Sequence, residues 1–217
     1  MSDIGGVDLF VLEFGDILHY FTPYSLTLFI FALIFTVLVI VARPERQLDI
    51  VFGGDAYYAK KTPISERRFR RFMAIACGLA SMGAMASGDI FNYTLFVSMV
   101  GITNVGIVAA VKSRHVLNAA YEYGIVAMVG TLPLFGGAAL ILGTTGTLSI
   151  PALATGGYAV PLVAKILLAL GVTGEGMAPF YAAKAEMFRA PGAPYVIMCS
   201  LSSLLIFLRV VEIVITI

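Results

Sequence analysis

Charge is what this sequence has least of: Asp, Glu, Lys and Arg make up 12% of its 217 residues, against about 25% in an ordinary soluble domain. Together with 59% hydrophobic residues and a mean hydropathy of +0.95, that scarcity excludes a soluble globular domain and implies an integral membrane protein. The 14 basic and 13 acidic side chains leave a formal net charge of +1, so bulk electrostatics gives no case for nucleic acid as a partner. Tryptophan is absent. Cysteine occurs twice, as Cys77 and Cys199 inside apolar runs, which excludes a disulfide framework and a four-ligand zinc or iron–sulfur site built from this chain alone. Histidine also occurs twice, but His19 and His115 lie in different regions and do not suggest a metal site. No nucleophile with a base and an orienting acid, no phosphate loop and no metal-ligand cluster appears, so no catalytic residue and no cofactor is expected in this chain.

What the sequence does hold is long apolar runs. A helix needs about 20 mostly apolar residues to cross the hydrocarbon layer, because unpaired backbone amides are too costly in lipid. The first span runs from Tyr24 to Ala42, announced by Pro23 and stopped by Arg43-Pro44-Glu45-Arg46. Phe72 to Val111 carries a single charge, Asp89, and is too long for one helix, so it reads as two spans turning at Ser87-Gly88-Asp89. A fourth span covers Ala119 to Leu142, and Gly143 to Gly157 reads as its loop. The fifth begins near Tyr158 and meets Gly171, Gly174, Gly176 and Pro179, and the sixth runs from Pro194 to Ile217. Residues 7–21 are shorter and hold Asp8, Glu13 and Asp16, which favours an interfacial or re-entrant helix over a seventh span. They lack the basic leading region of a signal peptide. The expected architecture is therefore an all-α polytopic bundle of about six transmembrane helices in one membrane domain, 1–217, embedded in the lipid bilayer.

Twelve Lys and Arg lie outside the spans: eight from Arg43 to Arg71, then Lys112, Arg114, Lys184 and Arg189. Alternating spans put all twelve on one side. The positive-inside rule places that side in the cytoplasm, in a cell membrane protein with both termini outside. The largest hydrophilic segment, 43–71, holds Lys60-Lys61 and Arg67-Arg68-Phe69-Arg70-Arg71. It reads as an anchor at anionic headgroups or as a dock for a cytoplasmic subunit. Small residues at Gly78, Ser81, Gly83, Ala84 and Ala86 suit close helix packing.

An ionisable group inside a span costs at least about 2.5 to 3.5 kcal/mol near the centre, so each one needs a partner, water or a task. Asp89 sits at the outer turn, where it caps a helix or takes part in a path. Glu122 lies one turn inside the cytoplasmic end of the fourth span, within reach of the interface and of a helix N-terminus. Lys165 stands eight residues into the fifth span, and Glu175 follows ten residues later, about 15 Å along a continuous helix, too far for a direct ion pair. Gly171, Gly174, Gly176 and Pro179 around Glu175 predict an unwound segment of the kind that builds ion sites at depth. Either Lys165 and Glu175 serve ion passage or each is a structural charge with a partner elsewhere. Arg209 and Glu212 are three apart and form a neighbouring pair on one helical face. Lys184 and Glu186, beside Ala190-Pro-Gly-Ala-Pro194, belong at the cytoplasmic mouth.

Four motifs then fall in a familiar order. Gly88-Asp-Ile-Phe-Asn-Tyr-Thr-Leu-Phe-Val97 resembles the GDLFNLYVFFE stretch of the antiporter-like subunits of respiratory complex I, multisubunit cation/proton antiporters and membrane-bound [NiFe] hydrogenases. Ala119-Ala-Tyr-Glu-Tyr123 resembles the family's AALKY, Gly143-Thr-Thr-Gly-Thr-Leu148 its GATGTL, and Met177-Ala-Pro-Phe-Tyr181 its LFPFH. The resemblance covers about residues 72–209 and implies one five-helix antiporter-like repeat over 72–217 with a broken fifth span, preceded by an arm, a span and a basic loop in 1–71. Departures are as informative. The family's glutamate falls on Ser98, the lysine before the LFPFH proline on Gly174, the AALKY lysine on Glu122 and the LFPFH histidine on Tyr181, so its acid and lysine pair does not transfer.

Full members of that family carry two such repeats, each contributing half of an ion path, and this chain holds the equivalent of one. The resemblance implies a truncated subunit of an energy-converting hydrogenase complex of methanogenic archaea, with other membrane subunits as partners. It would contribute to H+ or Na+ movement coupled to hydrogen oxidation and ferredoxin reduction, with nickel and iron–sulfur chemistry elsewhere. Candidate ion-translocation residues are Glu122, Lys165, Glu175, Asp89 and Lys184. A scaffold that has lost conduction, and a small independent transporter that dimerises, are the competing readings.

Overall fold

The computed structural model describes residues 9–14, 17–42, 49–53, 56–60, 63–112, 114–175, 181–187 and 195–217. It is a helical bundle with two small β-hairpins. Strands β1 (Phe10–Phe14) and β2 (Ile17–Phe21) pair antiparallel, as do β3 (Asp49–Gly53) and β4 (Ala56–Lys60). The helices are α1 (Pro23–Val41), α2 (Ile64–Ala86), α3 (Ile90–Ala109), α4 (Arg114–Thr145), α5 (Ile150–Thr155), α6 (Leu162–Thr173), α7 (Tyr181–Met187) and α8 (Tyr195–Thr216).

Helix α1 starts where its sequence says it should: Thr22 and Ser25 form a reciprocal capping box and Pro23 occupies the first turn. Its outward face is apolar and exposed at Ile30, Phe31, Leu33, Ile34 and Leu38, as a lipid-facing helix requires. Helices α2 and α3 turn at 87–89, as the sequence predicts, and the Asp89 side chain caps α3 by accepting from Asn92 N–H at 3.0 Å. That turn is clamped from two sides: Gly88 N–H bonds Leu18 O at 2.9 Å, and Ile90 N–H bonds Leu148 O at 3.0 Å. Helix α4 has 32 residues, about 48 Å, and contains Pro133.

Helices α1, α3, α4 and α8 are each long and apolar enough to cross a membrane. In α2 five charged residues, Glu66, Arg67, Arg68, Arg70 and Arg71, crowd the start, and its apolar stretch begins at Phe72. The fifth span is short: α6 has 12 residues, about 18 Å, and gives way to a turn at 174–175. Residues 176–180, with Gly176 and Pro179, lie outside the described residues.

Residues 10–21 form a hairpin where the sequence reading expects an interfacial or re-entrant helix. The two residues between β1 and β2 are Gly15-Asp16, and those between β3 and β4 are Gly54-Asp55. A Gly-Asp pair between two apolar runs is a hairpin signal, and in 7–21 it outweighs the hydropathy that suggested a helix. The 143–157 segment is also more ordered than a loop, since Ser149 caps the short helix α5 and bridges to Asp89.

Candidate ion-translocation site

Helix α6 reaches the middle of the bundle because glycines let it touch α4. A Cβ on Gly130 would stand 2.8 Å from Gly174 Cα and 2.9 Å from Gly171 O, so the two backbones are in direct contact. One residue past Gly174, Glu175 is carried into the core with 2% of its surface exposed.

Its carboxylate meets α3 and α4. The Tyr123 hydroxyl donates to Oε2 at 2.5 Å. Gly101 of α3 faces Oε1, where a Cβ would come within 2.5 Å. Behind Tyr123 the polar contacts continue, with Asn104 Nδ2 donating to the Tyr123 hydroxyl and to Ser202 Oγ at 3.4 Å each. Cys77 Sγ–H donates to Asn104 Oδ1 at 3.3 Å. Asn104 and Ser202 are fully buried.

Lys184 closes the site from α7. It is 2% exposed, and its ammonium donates to the Glu175 backbone carbonyl at 2.9 Å and to Ser203 Oγ. Ser203 Oγ also donates to that carbonyl at 2.9 Å. The ammonium stands 5.8 Å from the centre of the Tyr123 ring, on which it exerts a cation–π attraction. Acid and base are thus held on either side of one tyrosine. A cavity of about 500 Å³ between α3 and α4, lined among others by Ser98, Gly101, Val105, Gly124 and Met128, ends on Glu175.

A second buried pair lies toward the other end of α8. Arg209 Nη1 and Glu212 Oε2 are 2.5 Å apart and both residues are at most 2% exposed. Arg209 Nη2 donates to Ser87 O at 2.9 Å, and the Thr22 hydroxyl donates to Glu212 Oε1. The pair expected from the spacing is present, and it also ties α8 to the starts of α1 and α3.

Of the five candidates, the structure brings together only Glu175 and Lys184. Lys184, expected at the cytoplasmic mouth, is in the core instead, because α7 packs on α4 and directs it inward. Lys165 is half-buried on α6, and its side chain makes no hydrogen bond or ion pair among the described residues. Glu122 is exposed and accepts from Asn118 Nδ2 at 2.7 Å across one turn of α4. Asp89 is the α3 cap. The sequence reading missed Tyr123, Asn104, Ser202 and Ser203. Their signal was polar groups inside spans, which escapes a search restricted to charges.

The family described as NADH dehydrogenase I, subunit N related protein, matches residues 1–217. An uncharacterized protein of Methanocaldococcus jannaschii is 49% identical over 221 residues, covering 100% of both chains. The chain belongs to the NADH dehydrogenase I subunit N-related family. Two solved structures share its fold. A chain of the membrane-bound sulfane sulfur reductase, an archaeal respiratory membrane complex, superposes with a TM-score of 0.67 at 23% identity. A chain of respiratory complex I from Thermus thermophilus with bound aureothin gives 0.66 at 16% identity. These matches cover 84% and 93% of the subunit N-related chain, but only 35% and 41% of the solved chains. It is a multi-pass membrane protein whose structural neighbours are subunits of multisubunit respiratory complexes.

Proposed function

We propose that this chain is an ion-translocating membrane subunit of a multisubunit redox-driven complex, with Glu175 as the group that takes up and releases the ion and Lys184 as the neighbouring charge that modulates it. The observation that carries the reading is the buried Glu175 carboxylate, bonded by Tyr123 and facing a cavity, beside a buried lysine. Two ionisable groups kept at depth are costly to the fold and mark a pathway more often than a brace. Arrival of a proton or Na+ at Glu175 would weaken the hold of Lys184, and charge on one would set the affinity of the other. The motif pattern supports reading the complex as an energy-converting hydrogenase of the kind found in methanogenic archaea, with H+ or Na+ flow coupled to hydrogen oxidation and ferredoxin reduction. Partner membrane subunits supply the second half of the path.

A scaffold that no longer conducts is the second reading, favoured by Ser98 and Gly174, which stand where the family resemblance places its glutamate and lysine. One experiment separates the two. In the complex purified through a tagged copy of this chain and reconstituted in vesicles, Glu175→Gln and Lys184→Met are each expected to leave assembly intact and to lower ion transport per electron at least tenfold. Lys165→Ala, away from the cluster, is the control and is expected to retain more than half. Wild-type coupling in both core variants would establish the scaffold.

A further inference from the structure

The two oxygens of the Glu175 carboxylate are not equivalent. Oε2 takes the Tyr123 hydroxyl at 2.5 Å. Oε1 lies against Gly101, one of the residues lining the cavity between α3 and α4, and receives no hydrogen bond among the described residues. Lys184 does not serve it, because its ammonium is engaged by the Glu175 backbone carbonyl and by Ser203. Glu175 is 2% exposed, so Oε1 is a buried acceptor without a donor at the edge of a space of about 500 Å³. Buried polar atoms are nearly always bonded, and such an oxygen calls for a ligand of its own.

What keeps the Tyr123 proton on Oε2 is the direction of the hydrogen bonds behind it. The Asn104 amide turns its nitrogen to Ser202 Oγ and the Tyr123 oxygen, at 3.4 Å each, and its oxygen to the Cys77 thiol at 3.3 Å. Its neighbours fix that orientation. Ser202 Oγ gives its one proton to Cys199 O at 3.1 Å, so toward Asn104 it can only accept. The reverse orientation would set the amide oxygen against that committed serine and the amide nitrogen against sulfur, a weak acceptor. With an Asn104 N–H aimed at the Tyr123 oxygen, the single phenol proton points away from Asn104 and onto Oε2. Cys77, Asn104 and Tyr123 therefore all donate in one direction, from α2 through α3 and α4 to the carboxylate, and all three are fully buried. A proton placed on Oε2 would leave the Tyr123 proton as a buried donor without an acceptor, a cost that a proton on Oε1 does not incur.

We infer that Asn104 is a positioning residue of the ion site: it commits the Tyr123 proton to Oε2 and leaves Oε1 as the atom at which Glu175 takes up and releases its ion, through the α3–α4 cavity. The inference rests on Glu175 being the ion-carrying group. When the ion is a proton, an O–H bond forms at Oε1 while Oε2 becomes the carbonyl oxygen and keeps the Tyr123 hydrogen bond. Release breaks that O–H bond, and Asn104 and Tyr123 end as they began.

The test reads infrared difference spectra, acid minus alkaline, of the complex purified through a tagged full-length chain. The carboxyl band lost in Glu175→Gln belongs to Glu175. With the proton on Oε1, that band is the stretch of the C=Oε2 bond, which a hydrogen bond from Tyr123 lowers. Tyr123→Phe is then expected to move it to higher wavenumber, and Asn104→Leu to move it the same way by a smaller step. In 3-fluorotyrosine at position 123, a stronger donor of nearly the same size, it is expected at lower wavenumber. A band unmoved by Tyr123→Phe places the proton on Oε2 and overturns the inference, and a band unmoved by Asn104→Leu overturns the role of Asn104. Should Asn104→Leu fail to assemble, Asn104→Ser deletes the same donor in a smaller volume and is read in the same way. The route is read with dicyclohexylcarbodiimide, an apolar reagent that adds across a carboxyl O–H with nothing leaving, followed by mass spectrometry of the chain. Ser98→Phe puts a ring into the cavity and is expected to cut both labelling of Glu175 and ion transport per electron at least fivefold, and wild-type values of both exclude the cavity as the route. Transport in Glu175→Gln judges the underlying reading separately. Full transport there sinks both, whereas lost transport with a band unmoved by Tyr123→Phe sinks only the assignment to Oε1.

Discussion

At the scale of the residue, the position of Glu175 depends on what is missing opposite it. Gly101 offers no side chain, and only for that reason does Oε1 lie against α3 while Oε2 takes the Tyr123 hydroxyl. Gly101→Val would push the carboxylate out of that space and separate it from Tyr123. Overpacking of this kind costs about 1 to 3 kcal/mol, and an unpaired buried polar group about as much again. The expected outcome is a complex that assembles with a thermal midpoint lowered by several degrees and ion transport per electron reduced at least tenfold. Gly124→Ala is the comparison, because its Cβ would meet Val105 Cγ2 at 3.4 Å, in ordinary contact, and should change neither quantity appreciably. If the Gly101 variant transported normally, the close approach would be incidental. This residue also shows why the site was only half legible. Glu175 and Lys184 could each be picked from the sequence as candidates, whereas their meeting at one site could not. Lys165 has the deeper place in a hydrophobic run, but helix phase turns it aside. Lys184 lies on a different helix and is brought in by the packing of α7 on α4, which no spacing along the sequence encodes.

At the scale of the element, the contact between α4 and α6 is what gives a 12-residue helix a fixed place in the bundle. Lipid supplies little hydrophobic drive between helices, so close backbone packing has to hold them together. The atom facing a Cβ on Gly130 is backbone, Gly174 Cα at 2.8 Å, and backbone on this side does not yield as a flexible side chain would. Gly130→Val is therefore expected to move α6 away from α4 and to remove Glu175 from Tyr123, lowering the midpoint of thermal unfolding in detergent and reducing the yield of assembled complex at least threefold. Normal yield and unchanged stability would show that α6 is held by other contacts. Helices were the legible part of the fold, since apolar run lengths located α1, α3, α4 and α8 to within a few residues. The hairpins were not. Hydropathy in 7–21 points to the membrane interface and is indifferent to strand or helix, and the deciding signal, Gly15-Asp16 between two five-residue strands, is local turn chemistry.

At the scale of the whole molecule, the charge distribution and the helix order make a joint statement about orientation. The starts of α2 and α4 carry Arg67, Arg68, Arg70, Arg71 and Arg114, and the opposite ends, at 87–89 and 146–161, carry no Lys or Arg. The positive-inside rule assigns the first set to the cytoplasm. Because α1 begins and α8 ends on the second side, tied together there by Thr22 and Glu212, the expected outcome of a labelling experiment is both of these helix ends outside. The native cysteines permit a direct measurement, as Cys77 and Cys199 are buried at 0% and 1% exposure and should not react with a membrane-impermeant maleimide. Arg114 and Ala154 are both exposed and stand at the two ends of the α4–α5 segment. In right-side-out vesicles, Ala154→Cys is expected to label and Arg114→Cys to label only after the membrane is opened. The reverse pattern would turn the molecule over and place the Arg209–Glu212 pair on the cytoplasmic side. Labelling of both from one side would remove α4 as a span, and with it the placement of Tyr123 and Glu175 within the membrane on which the proposed function rests.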